Sequence, residues 1–234
     1  MRIVLDAGHG MNTPGKRSPD GMREFEFNVA VATYMRDELE KYKDVDMIFV
    51  HDHPNGKRDV PLKERTDRAN KWGADVYFSI HANALAGKMG NHGGIETYAY
   101  TTKPKGSTAL AKKVQAELVK ETGLRNRGVK FANFHVLRET KMTAVLVEHG
   151  FMDSKTDLPK LKSDQFRKEC AKANVRALAD FFNLKKKPQK KPKASDGEFY
   201  RVITGSFKNK ENAEQRVKEL KAKGFDSFIS KEDV

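Results

Sequence analysis

The chain has 234 residues, 38% of them hydrophobic and 33% charged, and this length suffices for one well-buried domain and a smaller second unit. Its single cysteine, Cys170, excludes an internal disulfide framework and a metal site built from several thiolates. The net charge of +13 favours an anionic partner, but charge alone does not choose among nucleic acid, a membrane surface and an acidic cell-wall polymer.

No segment approaches the roughly 20 apolar residues that a membrane span needs, so we expect no membrane span. The first apolar run, residues 3–5, is also much shorter than the core of a signal peptide, which has about 7–15 residues. We therefore expect synthesis in the cytoplasm without a signal peptide. Action outside the cell would then require a separate route of release.

Apolar runs with strand character alternate with segments of helical periodicity in the first 183 residues. Phe27, Val31, Met35 and Leu39, for example, recur at the spacing of one helix face. This alternation predicts an α/β fold with a layered, mixed but mostly parallel sheet flanked by helices. In chain order, the pattern predicts a strand at 2–6, a helix at 24–42, a strand at 45–50, a helix at 62–72, strands at 76–80 and 94–100, a helix at 107–122, a strand at 144–148 and a helix at 163–182.

Residues 184–197 are rich in lysine and proline and lack any apolar periodicity, so we expect an extended linker there. It divides the chain into a domain at 1–183 and a small unit at 198–234. In the small unit we predict a strand at 199–205, a helix at 210–223 and a second strand at 225–230. A βαβ unit of about 38 residues is small for independent stability, and we expect it to need a partner.

Three of the apolar runs end in a histidine or a glutamate, namely His9, His81 and Glu148. In open α/β sheets the ligand crevice lies outside the carboxyl ends of the strands, so residues that end different strands meet there. Two imidazoles and a carboxylate at one sheet edge suggest a metal hydrolase, although each of these residues could alone be structural.

A catalytic zinc takes three protein ligands and leaves one position for water. His9 and His81 supply two imidazoles, and Glu24, at the start of the first long helix, is the best third candidate. Glu148 follows apolar residues and is predicted to take a proton from the attacking water and pass it to a leaving amine. The alternatives are that Glu24 only complements the helix dipole and that Glu148 forms a salt bridge.

The remaining histidines give weaker indications of a functional role. His51 and His53 follow a strand, and we interpret them as part of an exposed loop rather than as a second metal site. His135 precedes a short apolar step and is a candidate for the wall of a substrate groove. The glycine-rich segment at 87–94 lacks the ending of a phosphate-binding loop, so nucleotide binding is unsupported.

Taken together and in order, these motifs resemble the zinc-dependent N-acetylmuramoyl-L-alanine amidases, which degrade peptidoglycan. The resemblance implies that His9, Glu24 and His81 bind Zn²⁺, that Glu148 is the catalytic carboxylate and that Asn83 and Arg138 belong to the substrate groove with His135. It also implies cleavage of the amide between the lactyl group of muramic acid and L-alanine. The segments that carry it are Leu5–Gly10, Gly21–Glu24 with Phe27–Asn28, Glu64–Asn70, Ser79–Asn83, Val136–Arg138 and Val145–Phe151.

The tail at 198–234 resembles half of a SPOR repeat, a glycan-binding module. Such modules usually contain two half-units, so we predict that the tail dimerises or stays unfolded. The expected partner is anionic peptidoglycan rather than nucleic acid, because no nucleic-acid motif accompanies the lysines. A zinc endopeptidase and a non-catalytic wall-binding protein with a structural metal are the alternatives. A phage lysin and a sporulation enzyme both fit release through a permeabilised membrane or by lysis.

Overall fold

The structure is a computed structural model that describes residues 1–14, 17–188 and 203–230. The chain forms two compact units, Met1–Pro188 and Gln189–Val234.

The first unit is built on one six-stranded sheet, in the order β2-β1-β3-β6-β4-β5. All neighbouring strands are parallel except β6 and β4, which run antiparallel. The predicted mixed, mostly parallel sheet is therefore confirmed. The strands are β1 (Arg2–Ala7), β2 (Asp46–Phe49), β3 (Val76–Asn83), β4 (Ile95–Tyr100), β5 (Asn126–Ala132) and β6 (Thr143–Phe151).

In the described residues of the first unit, six helices flank this sheet. The four long ones, α1, α2, α3 and α6, match the predicted helices, whereas β5 and the two short helices were not predicted. The helices are α1 (Glu24–Leu39), α2 (Leu62–Trp72), α3 (Lys105–Thr122), α4 (His135–Arg138), α5 (Asp157–Lys162) and α6 (Asp164–Phe181).

The two faces of the sheet are covered unequally. Helices α1, α3 and α6 cover one face and enclose the larger apolar core, to which Phe27, Phe78 and Val147 belong. Cys170 is fully buried in this core, and burial raises the pKa of its thiol. The second face carries a smaller cluster around Tyr77 that includes residues of α4. Polar residues of the strands, among them Ser79, His81 and Glu148, project from this second face, because they alternate with residues of the larger core.

The start of the predicted linker contacts the first unit. The backbone N–H of Lys43 donates to the carbonyl of Lys185, and that of Lys187 donates to the carbonyl of Lys41. Leu184 packs against the larger core. Residues 189–197 of the linker lie outside the described residues.

The described part of the second unit contains the helix α7 (Lys210–Ala222), in agreement with the predicted helix. The side chain of Asn209 accepts a hydrogen bond from the backbone of Glu211 and caps its start. The strand predicted at 225–230 is wrong, because no ladder forms there. The first predicted strand, 199–205, has residues 199–202 outside the described residues, and 203–205 are not in a strand. A strand needs a neighbour for its backbone hydrogen bonds, and this short unit offers none among its described residues.

Candidate active site

His9 and His81 lie at the same edge of the sheet, at the carboxyl ends of neighbouring strands. His9 follows β1 with a φ of 66°, a left-handed conformation that non-glycine residues seldom adopt. His81 lies near the end of β3. Their rings meet edge to face with centroids 5.1 Å apart.

Glu24, the first residue of α1, interacts with both imidazoles. Its Oε2 is 3.3 Å from Nε2 of His9, and its Oε1 is 2.9 Å from Nδ1 of His81. Ligand atoms of all three residues lie within 4.8 Å of one another. The structure therefore brings together the three residues predicted to bind a metal.

Asn28 lies one turn along α1 and holds Glu24 in place. Its Nδ2 is 3.3 Å from Oε1 of Glu24 and also donates to the carbonyl of Gly8 at 3.1 Å. The backbone N–H of Ala82 donates to the same Oε1 at 3.3 Å. These contacts connect the start of the helix to both strands that position the histidines.

Gly8 makes room for the His81 ring. A Cβ at this position would lie 2.0 Å from Cε1 of that imidazole, which is far inside van der Waals contact. Only glycine allows the backbone after β1 to approach the ring so closely.

The electrostatics of this cluster favour a positive charge. Burial alone would lower the pKa of His81, but its hydrogen bond to Glu24 and the charges of Glu24 and Glu148 outweigh burial and raise that pKa. Two imidazoles and a carboxylate within ligand distance of one centre are a donor set typical of catalytic zinc. The residues present thus fit a divalent metal.

Glu148 lies in β6, half-buried, and pairs in register with His81 on β3. Residues in register on adjacent strands project from the same face of the sheet, so this carboxylate lies beside the metal-ligand cluster. Arg138, which lies on α4, donates to the side chains of Glu139 and Asn133.

The buried ion pair between Arg65 and Asp6 lies behind the site and was not predicted from the sequence. Arg65, on α2, is 1% exposed and donates to Oδ1 of Asp6 at 2.7 Å. It also donates to the carbonyls of Ala7 and His9 at 2.7 and 2.8 Å. Arg65 therefore fixes the turn that presents His9. Arg65 lies in the segment Glu64–Asn70, which carries part of the family resemblance. The periodicity of the sequence does not reveal which arginine of this segment is buried.

His51 corrects the interpretation of an exposed loop, because its side chain is buried. Its Nδ1 accepts a hydrogen bond from the backbone of Ala7 at 3.0 Å. Burial lowers the pKa of His51 to about 4, and Arg65 acts in the same direction. His53 is only partly buried and stacks on Phe49 with centroids 4.0 Å apart.

His149 is a further structural histidine beside the site. Its Nδ1 is 3.1 Å from the carbonyl of His81, and its Nε2 is 2.9 Å from Nδ2 of Asn174. Burial lowers the pKa of His149 to about 4. A neutral imidazole thus supports the strand that carries a metal-ligand candidate.

The three predicted groove residues lie in different surroundings. Asn83 ends β3, and its Nδ2 is 3.4 Å from Oε2 of Glu96. His135 begins α4, where its Nε2 is 3.3 Å from the hydroxyl of Thr66. Arg138 ends that helix and is partly exposed. Their contact with substrate remains a prediction.

The loop after β3 is held by a buried carboxylate. Oδ2 of Asp153 accepts hydrogen bonds from the backbone of Leu85, Ala86 and Gly87 at 2.8, 2.8 and 2.9 Å. Its Oδ1 is 2.7 Å from Nε2 of His92. The chain that follows His81 is therefore fixed at the rim of the site.

Comparison with known proteins identifies the family. Residues 3–180 match the family model described as N-acetylmuramoyl-L-alanine amidase. The chain belongs to this family. Residues 166–231 also match the SPOR domain, a region that overlaps the end of the amidase match. Both resemblances inferred from the sequence motifs are thereby confirmed.

Relatives of known name cover most of the chain. The sporulation-specific N-acetylmuramoyl-L-alanine amidase of Bacillus subtilis (strain 168) is 35% identical over 234 residues, which are 100% of this chain and 86% of the relative. The endolysin of Bacillus phage SPP1 is 34% identical over 213 residues, with 86% of this chain and 75% of the relative covered.

The fold is shared with solved amidase structures. The N-acetylmuramoyl-L-alanine amidase from Clostridium difficile 630 superposes with a TM-score of 0.73 at 31% identity, over 78% of this chain and 96% of that one. The protein is accordingly a peptidoglycan amidase, which cleaves the amide between N-acetylmuramic acid and L-alanine. Among the residues that the structure describes, none of the helices has the length and apolar character needed to cross a membrane.

Proposed function

We propose that this amidase is zinc-dependent, with His9, Glu24 and His81 as metal ligands and Glu148 as the catalytic carboxylate. The observation that carries the proposal is the convergence of three donor groups within 4.8 Å, beside a carboxylate in register on the next strand. When bound, Zn²⁺ lowers the pKa of water to about 7 and polarises the scissile carbonyl.

The protein's own residues then supply proton transfer and orientation. Glu148 accepts the proton of the attacking water and delivers it to the nitrogen of the leaving L-alanine. Asn28 and the backbone of Ala82 hold Glu24 in its ligand position. Asn83, His135 and Arg138 orient the glycan and peptide on either side of the scissile amide.

A non-catalytic, structural metal is the weaker alternative. Structural zinc sites are normally closed by four protein ligands. In the described ranges 1–14, 17–188 and 203–230, the metal-binding group contains three residues. Three ligands leave a coordination position for water, as hydrolysis requires.

The test combines Glu148→Gln with metal and product analysis. We expect hydrolysis to fall by about 10²–10⁴-fold, because general acid–base catalysis typically contributes that much. Bound zinc per chain should stay the same, since Glu148 is not a ligand in this scheme. Glu40→Gln, which neutralises an exposed carboxylate paired with Arg36 after the end of α1, is the control and should keep full activity.

Mass spectrometry of digested muropeptides identifies the bond that is cut. Cleavage by an amidase creates a new amine on L-alanine, whereas an endopeptidase creates one within the peptide. Full lysis by the Glu148→Gln variant, or normal hydrolysis after complete removal of zinc, would refute the proposed mechanism.

The domain organisation extends the proposal to the whole chain. Residues 1–183 form the catalytic domain, 184–197 the lysine- and proline-rich linker and 198–234 a half-repeat that binds the peptidoglycan of the cell wall. The match to the SPOR domain supports the binding role of the tail. The amidase acts on the cell wall after release, as the names of the endolysin and the sporulation-specific relative suggest.

A further inference from the structure

Glu96 is a buried carboxylate beside the catalytic groove that the amidase mechanism does not use. It is 1% exposed and lies on β4, where it pairs in antiparallel register with Glu148. Both carboxylates therefore project from the same face of the sheet. The cluster of Glu96 lies on the side of Glu148 away from the metal ligands, because β3 and β4 flank β6.

Four side chains surround the Glu96 carboxylate. Nε of Arg127 and Nζ of Lys130 both donate to Oε1 at 2.5 Å. The hydroxyl of Tyr98 donates to Oε2 at 2.6 Å, and Nδ2 of Asn83 is 3.4 Å from the same oxygen. Burial alone would raise the pKa of Glu96, but the hydrogen bonds from Lys130, Tyr98 and Arg127 lower it. Glu96 is therefore ionised.

In this cluster two cations, Arg127 and Lys130, share one carboxylate, that of Glu96. The side chains of Arg127 and Lys130 are 24% and 38% exposed, whereas that of Glu96 is 2% exposed. The two cationic groups are therefore more accessible than the carboxylate that holds them. The guanidinium of Arg127 also lies 4.8 Å from the centre of the Phe151 ring, which fixes its orientation. Such a preorganised pair of cations can bind a carboxylate with little loss of side-chain entropy.

The substrate carries its carboxylates on the peptide side of the scissile amide. The lactyl carboxyl of muramic acid is consumed in that amide, and the amino sugars are otherwise neutral. Residue two of the stem peptide, a glutamate, carries a free carboxylate or its amide. The cationic groups of Arg127 and Lys130 meet Glu96 on β4, which pairs with Glu148 on β6. Adjacent strands lie about 4.8 Å apart, a distance that about one to two peptide residues span.

We infer that Arg127 and Lys130, held in place by Glu96, form a specificity subsite for a stem-peptide carboxylate on the leaving-amine side of the scissile bond. This inference rests on the proposed function of Glu148 and the metal ligands. It also sets the direction in which substrate lies across the sheet, with the peptide over β4 and β5.

The test compares two muropeptides that differ only in whether the second peptide residue bears a carboxylate or an amide. For the wild-type holoenzyme, we expect kcat/KM to be about tenfold higher for the carboxylate form, mainly through KM, because a hydrogen bond to a charged group is being lost. In Lys130→Gln and in Arg127→Gln this preference should shrink, and in the double variant it should disappear. Lys130→Arg should retain it.

Arg125→Gln is the matched control, because it removes the same charge from an exposed residue just before β5. It should leave the preference unchanged. Thermal unfolding shows whether a variant has lost its fold, and Lys130→Gln, at the more exposed position, is the safer of the two single changes. Equal kcat/KM values for both muropeptides in the wild type, or an unchanged preference in a folded double variant, would overturn the subsite.

The two proposals fail separately. If Glu148→Gln remains active while the wild type still prefers the carboxylate form, the catalytic assignment is wrong and the subsite stands. If Glu148→Gln is inactive and the wild type cuts both muropeptides equally well, the amidase mechanism stands and the subsite is wrong.

Discussion

The geometry of the candidate metal centre depends on the backbone at Gly8 and His9 as well as on the ligand side chains. His9 adopts a φ of 66°, and the preceding Gly8 leaves the space that the His81 ring fills. An unusual φ is retained when the surrounding structure compensates for its cost. Here Arg65 binds the carbonyl of His9 and so stabilises the turn.

Gly8→Ala should therefore impair metal binding. The added Cβ would lie 2.0 Å from Cε1 of His81 and would force the ring away from Glu24. We expect zinc affinity to fall by about 10–100-fold, as for other disturbed metal-site supports. Competition with a chromophoric chelator measures this. Gly106→Ala is the control, since its nearest contact is the Thr143 hydroxyl at 3.0 Å, and unchanged zinc affinity in Gly8→Ala would contradict the steric argument.

His51 makes the stability of the metal-free protein depend on pH. Its pKa is about 4 in the folded protein, against an ordinary value of 6.5. Between these values the unfolded chain binds a proton that the folded chain does not, so the free energy of unfolding falls as the pH decreases through this window. The loss attributable to His51 between pH 7 and pH 5 is about 2 kcal/mol.

His51→Asn removes this titration, while the asparagine oxygen can still accept the hydrogen bond from Ala7. Urea unfolding of the metal-free protein at pH 7 and pH 5 should then show a pH-dependent loss about 2 kcal/mol smaller than in the wild type. An equal loss in the variant would mean that His51 does not titrate in this range.

The secondary-structure elements that could be predicted from the sequence are those with a clear periodicity of apolar residues. The strands that end at the site and the four long helices have such a periodicity. The three ligand candidates were predicted because they lie at the ends of these elements. By contrast, β5 alternates charged and apolar residues at a half-exposed sheet edge, and α4 and α5 have only 4 and 6 residues. Tertiary packing stabilises these elements, and such packing cannot be predicted from the local sequence.

The same distinction applies to the residues of the site. Glu96 could have been found as a single buried acid within an apolar strand, a pattern that demands charged partners. The burial of Arg65 depends on a contact with Asp6 across 59 positions, and no local signal marks it. Helix α2 is thus both a covering element and the support of the His9 turn.

Arg65→Met should accordingly destabilise the first unit. It leaves the carboxylate of Asp6 buried without its guanidinium partner, which typically costs about 3–5 kcal/mol. Urea unfolding measures the change, and zinc affinity should fall with it. Arg68→Met, on the same helix but in an exposed pair with Glu64, is the matched control and should cost less than about 1 kcal/mol. Equal effects of the two substitutions would remove the special role of Arg65.

The whole molecule combines a well-packed amidase unit with a tail whose apolar residues are exposed. The first unit encloses a continuous core on one face of its sheet. In the described part of the second unit, no residue of α7 is buried. Large apolar side chains stay exposed on either side of that helix, namely Ile203, Phe207, Phe225, Phe228 and Ile229. Exposed apolar side chains in so short a segment are typical of an interaction surface.

A second copy of the tail is the partner that this composition fits, because two half-repeats would supply the halves of one module. We expect sedimentation equilibrium of the full chain to show a concentration-dependent dimer, and a chain ending at Pro188 to remain monomeric. Phe228→Ser, at a side chain 82% exposed, should weaken the dimer by at least about tenfold, because burying a Phe contributes about 1.5–3 kcal/mol. Leu85→Ser, the same kind of change at an apolar side chain that is 64% exposed in the first unit, should leave association unaltered. A full chain that stays monomeric while its tail unfolds cooperatively would exclude pairing, since one half-unit would then be stable alone.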